Sequence, residues 1–283
     1  MTSPDLYCVF GHPIAHSRSP WIHRRFAELT GQHLDYQARL APLDGFADSL
    51  RDFIAQGGQG ANVTVPFKHE AHACARTRSQ RVELAGAANT LVIGADGQVH
   101  ADNTDGLGLV ADITRNAGVA LAGADVLLVG AGGAAAGVLG PLIEERPRSI
   151  TVCNRTRAKA DALAQRHQAL AHAAGVALAV QEQAALAGDF SVVINATAAS
   201  LQGGSIPIAA QALRPGALAY DMMYGPAAQG FLAWAQQHGA VARDGLGMLV
   251  EQAAAAFALW RGVQPPAAQV LAELRAQLAS SGA

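Results

Sequence analysis

Lysine is almost missing from this chain: Lys68 and Lys159 are the only two, against 18 arginines. Charge of either sign is thin, at 15% of residues, and 20 basic side chains against 22 acidic ones leave a formal net charge of −2. That balance excludes a dedicated nucleic-acid binder, which needs a positive face. Three cysteines (Cys8, Cys74 and Cys153), far apart, build neither a disulfide framework nor a Cys-x-x-Cys metal site. No basic segment followed by an apolar run opens the sequence, so no secretory signal and a cytoplasmic protein are expected. The one long uncharged stretch, Val126 to Ile143, is broken by Gly130, Gly132, Gly133, Gly137, Gly140 and Pro141 and closed by Asp125 and Glu144. It reads as a strand, a glycine turn and a helix rather than a membrane span. Neither a membrane nor a nucleic acid is expected as partner.

A length of 283 residues, 51% hydrophobic, suggests about two domains, each with a core. In the first hundred residues Leu6–Phe10 reads as a buried strand. Pro20–Leu29 reads as a helix with Ser19 as N-cap and Pro at its first position. Leu34–Leu40 is strand-like, Leu43–Ile54 helical, and Ala61–Val65 a short strand halted by Pro66, after which Phe67–Leu84 is mostly helical. Thr90–Ile93 and Gln98–His100 flank a turn and predict a hairpin. Leu107–Asn116 looks helical and leads into a second alternating block. Its strands are Asp125–Val129, Ser149–Cys153, Ser191–Ile194 and Ala217–Tyr220, and helices span Ala134–Glu145 and Ala158–Ala173. This is the rhythm of a doubly wound parallel sheet. Two apolar helical stretches, Met248–Trp260 and Ala267–Leu278, follow.

Gly130-Ala131-Gly132-Gly133-Ala134-Ala135 fits G-x-G-x-x-G/A between an apolar strand and a helix. The first glycine permits the turn, the second lets the backbone approach a pyrophosphate, and the small last residue allows close packing. Unpaired N–H groups and the positive end of the helix dipole then face the anion. The next strand ends in Asn154-Arg155-Thr156, followed by Lys159, with no carboxylate to repel a 2′-phosphate. NADP(H) is therefore favoured over NAD(H); the competing reading is a solvated basic turn.

Against an arginine-rich background, a lysine marks a position where an amine able to release its proton is wanted. Lys68 stands in Ala61-Asn-Val-Thr-Val-Pro-Phe-Lys68. That segment, Gly11-His-Pro-Ile-Ala-His-Ser-Arg-Ser-Pro20, Gly86-Ala-Ala-Asn-Thr90, Asp102-Asn-Thr-Asp-Gly106, the glycine turn, Asn154-Arg-Thr156 and Asp244-Gly-Leu-Gly-Met-Leu249 occur in order. Together they make the chain resemble the shikimate dehydrogenase family along its whole length. The resemblance implies an α/β fold with an amino-terminal substrate-binding domain (residues 1–104, completed by 246–283). A doubly wound, Rossmann-like NADP-binding domain (105–245) is inserted. It implies NADPH-dependent reduction of 3-dehydroshikimate to shikimate in aromatic amino-acid biosynthesis. By resemblance Lys68 and Asp105 are the catalytic pair. Ser17 and Ser19, with Tyr224, hold the substrate carboxylate, and Thr64, Asn89 and Gln252 take the ring hydroxyls. Gly130, Ala131, Gly132, Gly133, Ala134, Asn154, Arg155, Thr156, Lys159, Met222 and Gly245 contact the cofactor.

Each assignment has a plainer alternative in the residues themselves. Lys68 can be an exposed helix-start residue, Asp105 an N-cap, Ser17 and Ser19 loop and capping hydroxyls, Asn89 a turn residue, and Gln252 a polar position on a buried helix. The serine pair is similar to shikimate-specific members more than to quinate-using ones. The chain departs from the family pattern at His12, Arg18, Gln80, Ala88, Ala198-Ala-Ser200 and Gly225–Gly230. A quinate-using relative and a non-catalytic NADP sensor stand as alternatives, and monomer and homodimer are equally open. His69-Glu-Ala-His72 is one residue short of H-E-x-x-H, so no metal is expected.

Overall fold

The computed structural model describes residues 3–197 and 208–280; the expected departure at Ala198-Ala-Ser200 lies outside them. The chain divides into two compact units, Met1–Gly108 with Val250–Gln277 and Leu109–Leu249 with Leu278–Ala283. The division falls after Gly108 rather than after residue 104, so Asp105 belongs to the same unit as Lys68.

The first unit is built on a six-stranded mixed sheet in the order β2-β1-β3-β5-β6-β4. β1 (Asp5–Gly11) is flanked in parallel by β2 (Leu34–Leu40) and β3 (Gly58–Val63). β4 (Thr77–Arg78), β5 (Thr90–Ile93) and β6 (Val99–Asp102) complete it, β5 running antiparallel to both β3 and β6. Alternation along β1 sends successive side chains to opposite faces. Cys8 and Phe10 join Phe46, Leu50 and Phe53 of α2 (Phe46–Ala55) and Phe67 and Ala71 beside and within α3 (Lys68–Cys74). Phe10 meets both Phe46 and Phe53 edge-on at 5.7 Å, a favoured aromatic geometry. Tyr7 and Val9 face the other way, toward Tyr36 and Trp260. There α1 (Ser19–Thr30) and α9 (Leu246–Arg261) contribute His23, Phe26 and Phe257.

Two local expectations change. The stretch expected as one helix over Phe67–Leu84 is split into α3 and α4 (Gln80–Ala85) around β4. Ser79 starts the second helix by accepting the Val82 N–H, while Arg78 Nε donates to the His72 carbonyl and satisfies the end of the first. Ser19 is not an N-cap: Arg18 holds that position without a side-chain cap, and Ser19 is the first helical residue, turned inward.

The second unit carries a six-stranded sheet, all parallel, in the order β12-β11-β10-β7-β8-β9. Its strands are β7 (Asp125–Val129), β8 (Ser149–Cys153), β9 (Ala177–Gln181), β10 (Phe190–Asn195), β11 (Leu213–Asp221) and β12 (Val241–Arg243). Counted from β7, the order is that of a doubly wound nucleotide-binding fold, with its switch point between β7 and β10. Helix α6 (Gly133–Glu144) is buried from Ala135 through Ile143, which accounts for the long apolar run. After α5 (Asp105–Ala111) the backbone widens into a π-turn at Asp112–Asn116. Asp112 is completely buried there, accepting from Tyr220 Oη at 2.7 Å, Arg243 Nε at 2.9 Å and Asn116 Nδ2 at 3.0 Å. Burial opposes its ionisation, but these hydrogen bonds and the guanidinium outweigh that and hold its pKa below the ordinary value. No helix among the described residues is long and apolar enough to cross a membrane.

Candidate active site

Sheet register gathers the polar residues of the first unit at one edge. Asn62 near the end of β3 pairs with Thr90 at the start of β5, and Thr90 pairs with Asp102 at the end of β6. Chain leaving β3 reaches Lys68 within one turn, and chain leaving β6 reaches Asp105. Lys68 Nζ donates to Asp105 Oδ2 at 2.6 Å, a charge-assisted contact between side chains 22% and 11% exposed. Asp105 does not act as an N-cap. Its backbone N–H goes to Asn103 Oδ1 at 3.1 Å, and its carboxylate is taken by Lys68 and by Asn89 Nδ2 at 2.8 Å.

Asn89 is the hub of this cluster. Its Oδ1 accepts the Thr104 N–H and the Thr90 hydroxyl, each at 2.8 Å, and its Nδ2 also reaches Gln252 Oε1 at 3.3 Å. The backbone N–H of Thr104 can only donate, so the orientation of the Asn89 amide is fixed. Thr64 lies between β3 and α3, half-buried, with its N–H on the Phe10 carbonyl. Ser17 and Ser19 sit at the start of α1, the Ser17 hydroxyl accepting the Ser19 N–H at 3.3 Å. The structure thus brings Lys68, Asp105, Asn89 and Gln252 into one hydrogen-bonded group. It adds residues that the sequence reading left unassigned: Thr104, Asn103 and Asn62. Their signal was present, since each lies inside a motif quoted for its neighbours. Asp102 is fixed by Arg81 and Ser79: burial pushes its pKa up, but these bonds outweigh that and leave it low.

In the second unit, Gly130 ends β7 with φ +116° and its N–H on the Cys153 carbonyl at 2.7 Å. A Cβ there would stand 3.0 Å from the Ala196 carbonyl oxygen, so both backbone angle and space demand glycine. A Cβ on Gly132 or Gly133 would instead enter open space that a side chain would fill. Ala131 is half-buried and Ala134 exposed, and the first N–H groups of α6 have no helical acceptor. No acidic side chain lies in the first turn. Register Val129↔Cys153 sets Asn154 beside this turn. Arg155, Thr156 and Lys159 are exposed around the start of α7 (Arg157–Ala174), and neither Arg155 nor Lys159 has a carboxylate partner among the described residues. A bare backbone cradle beside unpaired cations fits a pyrophosphate and a further phosphate. Met222 and Gly245 also come together: a Cβ on Gly245 would collide with the Met222 carbonyl, so only glycine fits. Tyr224 follows on the loop after β11, half-buried, and Gly225 (φ +65°) opens the turn before α8 (Gln229–Gln237). Among the described residues, no three His, Cys, Asp or Glu side chains are grouped to hold a metal ion.

Comparison with known proteins matches both units of the chain. Residues 9–91 match the shikimate dehydrogenase substrate binding domain, residues 112–203 match shikimate / quinate 5-dehydrogenase, and residues 245–275 match the shikimate 5′-dehydrogenase C-terminal domain. A protein of Acidovorax sp. named shikimate dehydrogenase (NADP(+)) is 68% identical over 276 residues, covering 98% of each chain. A crystal structure of an enzyme from Pseudomonas putida is similar with TM-score 0.88 at 43% identity, over 95% of this chain and 98% of that one. The Thermus thermophilus shikimate 5-dehydrogenase, solved with NADP(H) and shikimate, aligns with TM-score 0.83 at 30% identity over 96% and 98%. At this identity and coverage, the chain belongs to the shikimate dehydrogenase family.

Proposed function

We propose that this chain catalyses the reversible NADPH-dependent reduction of 3-dehydroshikimate to shikimate. The observation that carries the chemistry is the 2.6 Å contact between Lys68 and Asp105, tied to Asn89 and Gln252. When bound, the reduced nicotinamide supplies the hydride that reaches the ring carbonyl carbon. The Lys68 ammonium stabilises the resulting negative oxygen and gives it a proton, which leaves an alcohol and a neutral amine that solvent reprotonates. Asp105 aims the ammonium and accepts a hydrogen bond from the neighbouring ring hydroxyl.

Ser17 and Ser19 take the substrate carboxylate, and Thr64, Asn89 and Gln252 the ring hydroxyls. In the second unit, the turn from Gly130 to Ala134 holds the pyrophosphate through the N–H groups that follow Gly130, whose own N–H stays on the Cys153 carbonyl. Asn154, Arg155, Thr156 and Lys159 hold the 2′-phosphate, and Met222 and Gly245 line the nicotinamide. The partners are small molecules, and the protein works in the cytoplasm as a monomer or homodimer. Steady-state oxidation of shikimate and of quinate, each with NADP and with NAD, tests the assignment. Turnover of shikimate with NADP is expected to dominate, and absence of oxidation of either acid overturns it.

A further inference from the structure

β12 is the most weakly paired strand of the second sheet. It has three residues, lies at the edge and pairs only with β11, at Leu218↔Val241, Ala219↔Ala242 and Tyr220↔Arg243. So short an edge strand is held loosely by its own ladder. Yet Gly245, two places beyond it, is tightly placed. Its N–H donates to the Met223 carbonyl at 2.8 Å, and its Cα lies so near the Met222 carbonyl that no side chain fits. Met222 stands two places beyond Tyr220, with its N–H on the Asn195 carbonyl at 3.0 Å.

The end of β12 is fixed by Asp112. Tyr220 and Arg243 are cross-strand partners, so their side chains leave the sheet on one face. Both reach the same carboxylate. Arg243 forks onto it, Nε to Oδ2 at 2.9 Å and Nη2 to Oδ1 at 2.5 Å, while Tyr220 Oη donates to Oδ2 at 2.7 Å. A fork fixes direction as well as distance, which a single contact does not. Within the π-turn, Asn116 Nδ2 donates to Oδ1 at 3.0 Å and holds the carboxylate from behind. Asp112 is completely buried, and a Cβ on Gly247, in the first turn of α9, would collide with its carboxylate. The carboxylate therefore has no room to shift.

We propose that Asp112 is a positioning residue for hydride transfer: by clipping Tyr220 to Arg243 it holds the ends of β11 and β12 in one register, and so sets Met222 against Gly245 beside the nicotinamide. This rests on the reading that Met222 and Gly245 line the nicotinamide. Asp112, with no exposed surface, touches no ligand itself. Its influence reaches the reaction through the tilt of the nicotinamide, not through the groups that hold the phosphates.

Arg243→Met removes the fork and keeps a long apolar stem. For this variant, kcat for reduction of 3-dehydroshikimate is expected to fall roughly 10- to 50-fold, the scale of a small misplacement of the reacting groups. KM for 3-dehydroshikimate, and Kd for 2′,5′-ADP, which lacks the nicotinamide, should stay within about 2-fold. The primary isotope effect with NADPH dideuterated at C4 should rise as hydride transfer becomes slower than product release. Arg243→Lys, with the charge but no fork, should fall between wild type and Arg243→Met. Should Arg243→Met fold poorly, Tyr220→Phe keeps the ring and the fork and removes one bond. It should lower kcat roughly 2- to 5-fold and raise the isotope effect. A merely structural role predicts instead that 2′,5′-ADP affinity falls in step with kcat, since a loosened unit holds every ligand less well. That result, or an unchanged kcat and isotope effect in folded variants, overturns the role of Asp112.

The nicotinamide reading has its own readout in the wild-type protein. With methyl-¹³C methionine, the Met222 signal, identified by its loss in Met222→Leu, should move on adding NADP and stay in place on adding 2′,5′-ADP. If both ligands move it alike, the nicotinamide assignment fails, and this proposal with it. If NADP alone moves it while the kinetic results are null, only the role of Asp112 falls.

Discussion

The two sheets prepare for their ligands by opposite means. In the first unit recognition is built from side chains whose orientations are locked by neighbours: Asn89 by the Thr104 N–H, Asn62 by the Asn89 carbonyl, Asp105 by Lys68. In the second it is built from backbone at the end of β7 and from exposed cations that touch no carboxylate among the described residues. A locked group is costly to disturb, because a lost partner leaves a buried polar atom unpaired. An exposed cation gives up only its own contact. The first unit should therefore fail steeply when substituted, and the second should change preference while remaining active.

The steepest expected effect is at Lys68. Lys68→Ala should lower kcat roughly 10²- to 10⁴-fold if the amine acts as general acid. Lys68→Arg should be nearly as damaging, because a guanidinium keeps its proton. Substantial turnover by the arginine variant would show that charge alone suffices there.

Acid should find the first unit next. His23 is fully buried, and desolvation pulls its pKa from 6.5 to about 3, a neighbouring Asn62 amide opposing this only in part. The folded state keeps the ring neutral while the unfolded chain takes up a proton below pH 6.5. Stability is thus fully present above that pH and lost as pH falls toward 3, by about 1.4 kcal/mol per pH unit across the window. Denaturant melts at pH 7 and pH 4.5 should show the loss, and His23→Phe should flatten it. An equally steep fall in that variant would move the origin elsewhere.

In the second unit, Arg155→Asp should shift preference from NADPH toward NADH by roughly 10- to 100-fold, the loss of one charge-assisted bond. The ratio of kcat/KM for the two cofactors measures it, and an unchanged ratio removes Arg155 from the phosphate site. Smallest of all is Gly132→Ala. Its added methyl meets only open space, so thermal stability should hold while KM for NADPH rises a few-fold, the pyrophosphate being pushed from the backbone. Gly245→Ala provides the contrast, because its methyl strikes the Met222 carbonyl and the backbone must move.

What could be read from the sequence follows the same divide. The second sheet was visible because its inner strands are apolar runs and its glycine turn is local in sequence. Its edge strands were missed: β9 is Ala-Leu-Ala-Val-Gln, poor in β-branched residues, and β12 has three residues. The first unit's site was legible only by resemblance, because Lys68 and Asp105 lie 37 residues apart and no periodicity relates them. Ser19 misled as a cap, since its position before a proline satisfies the capping rule, while in the structure Arg18 takes the cap position and Ser19 is the first, buried, helical residue.

The scarcity noted at the outset has an experimental use. With one lysine in the first unit and one in the second, selective ¹⁵N labelling of this residue type yields two side-chain resonances, one clamped by a carboxylate and one waving in water. Titrating acid substrate and nucleotide separately against that two-line spectrum reports each site's occupancy without a dye, a tag or a substitution.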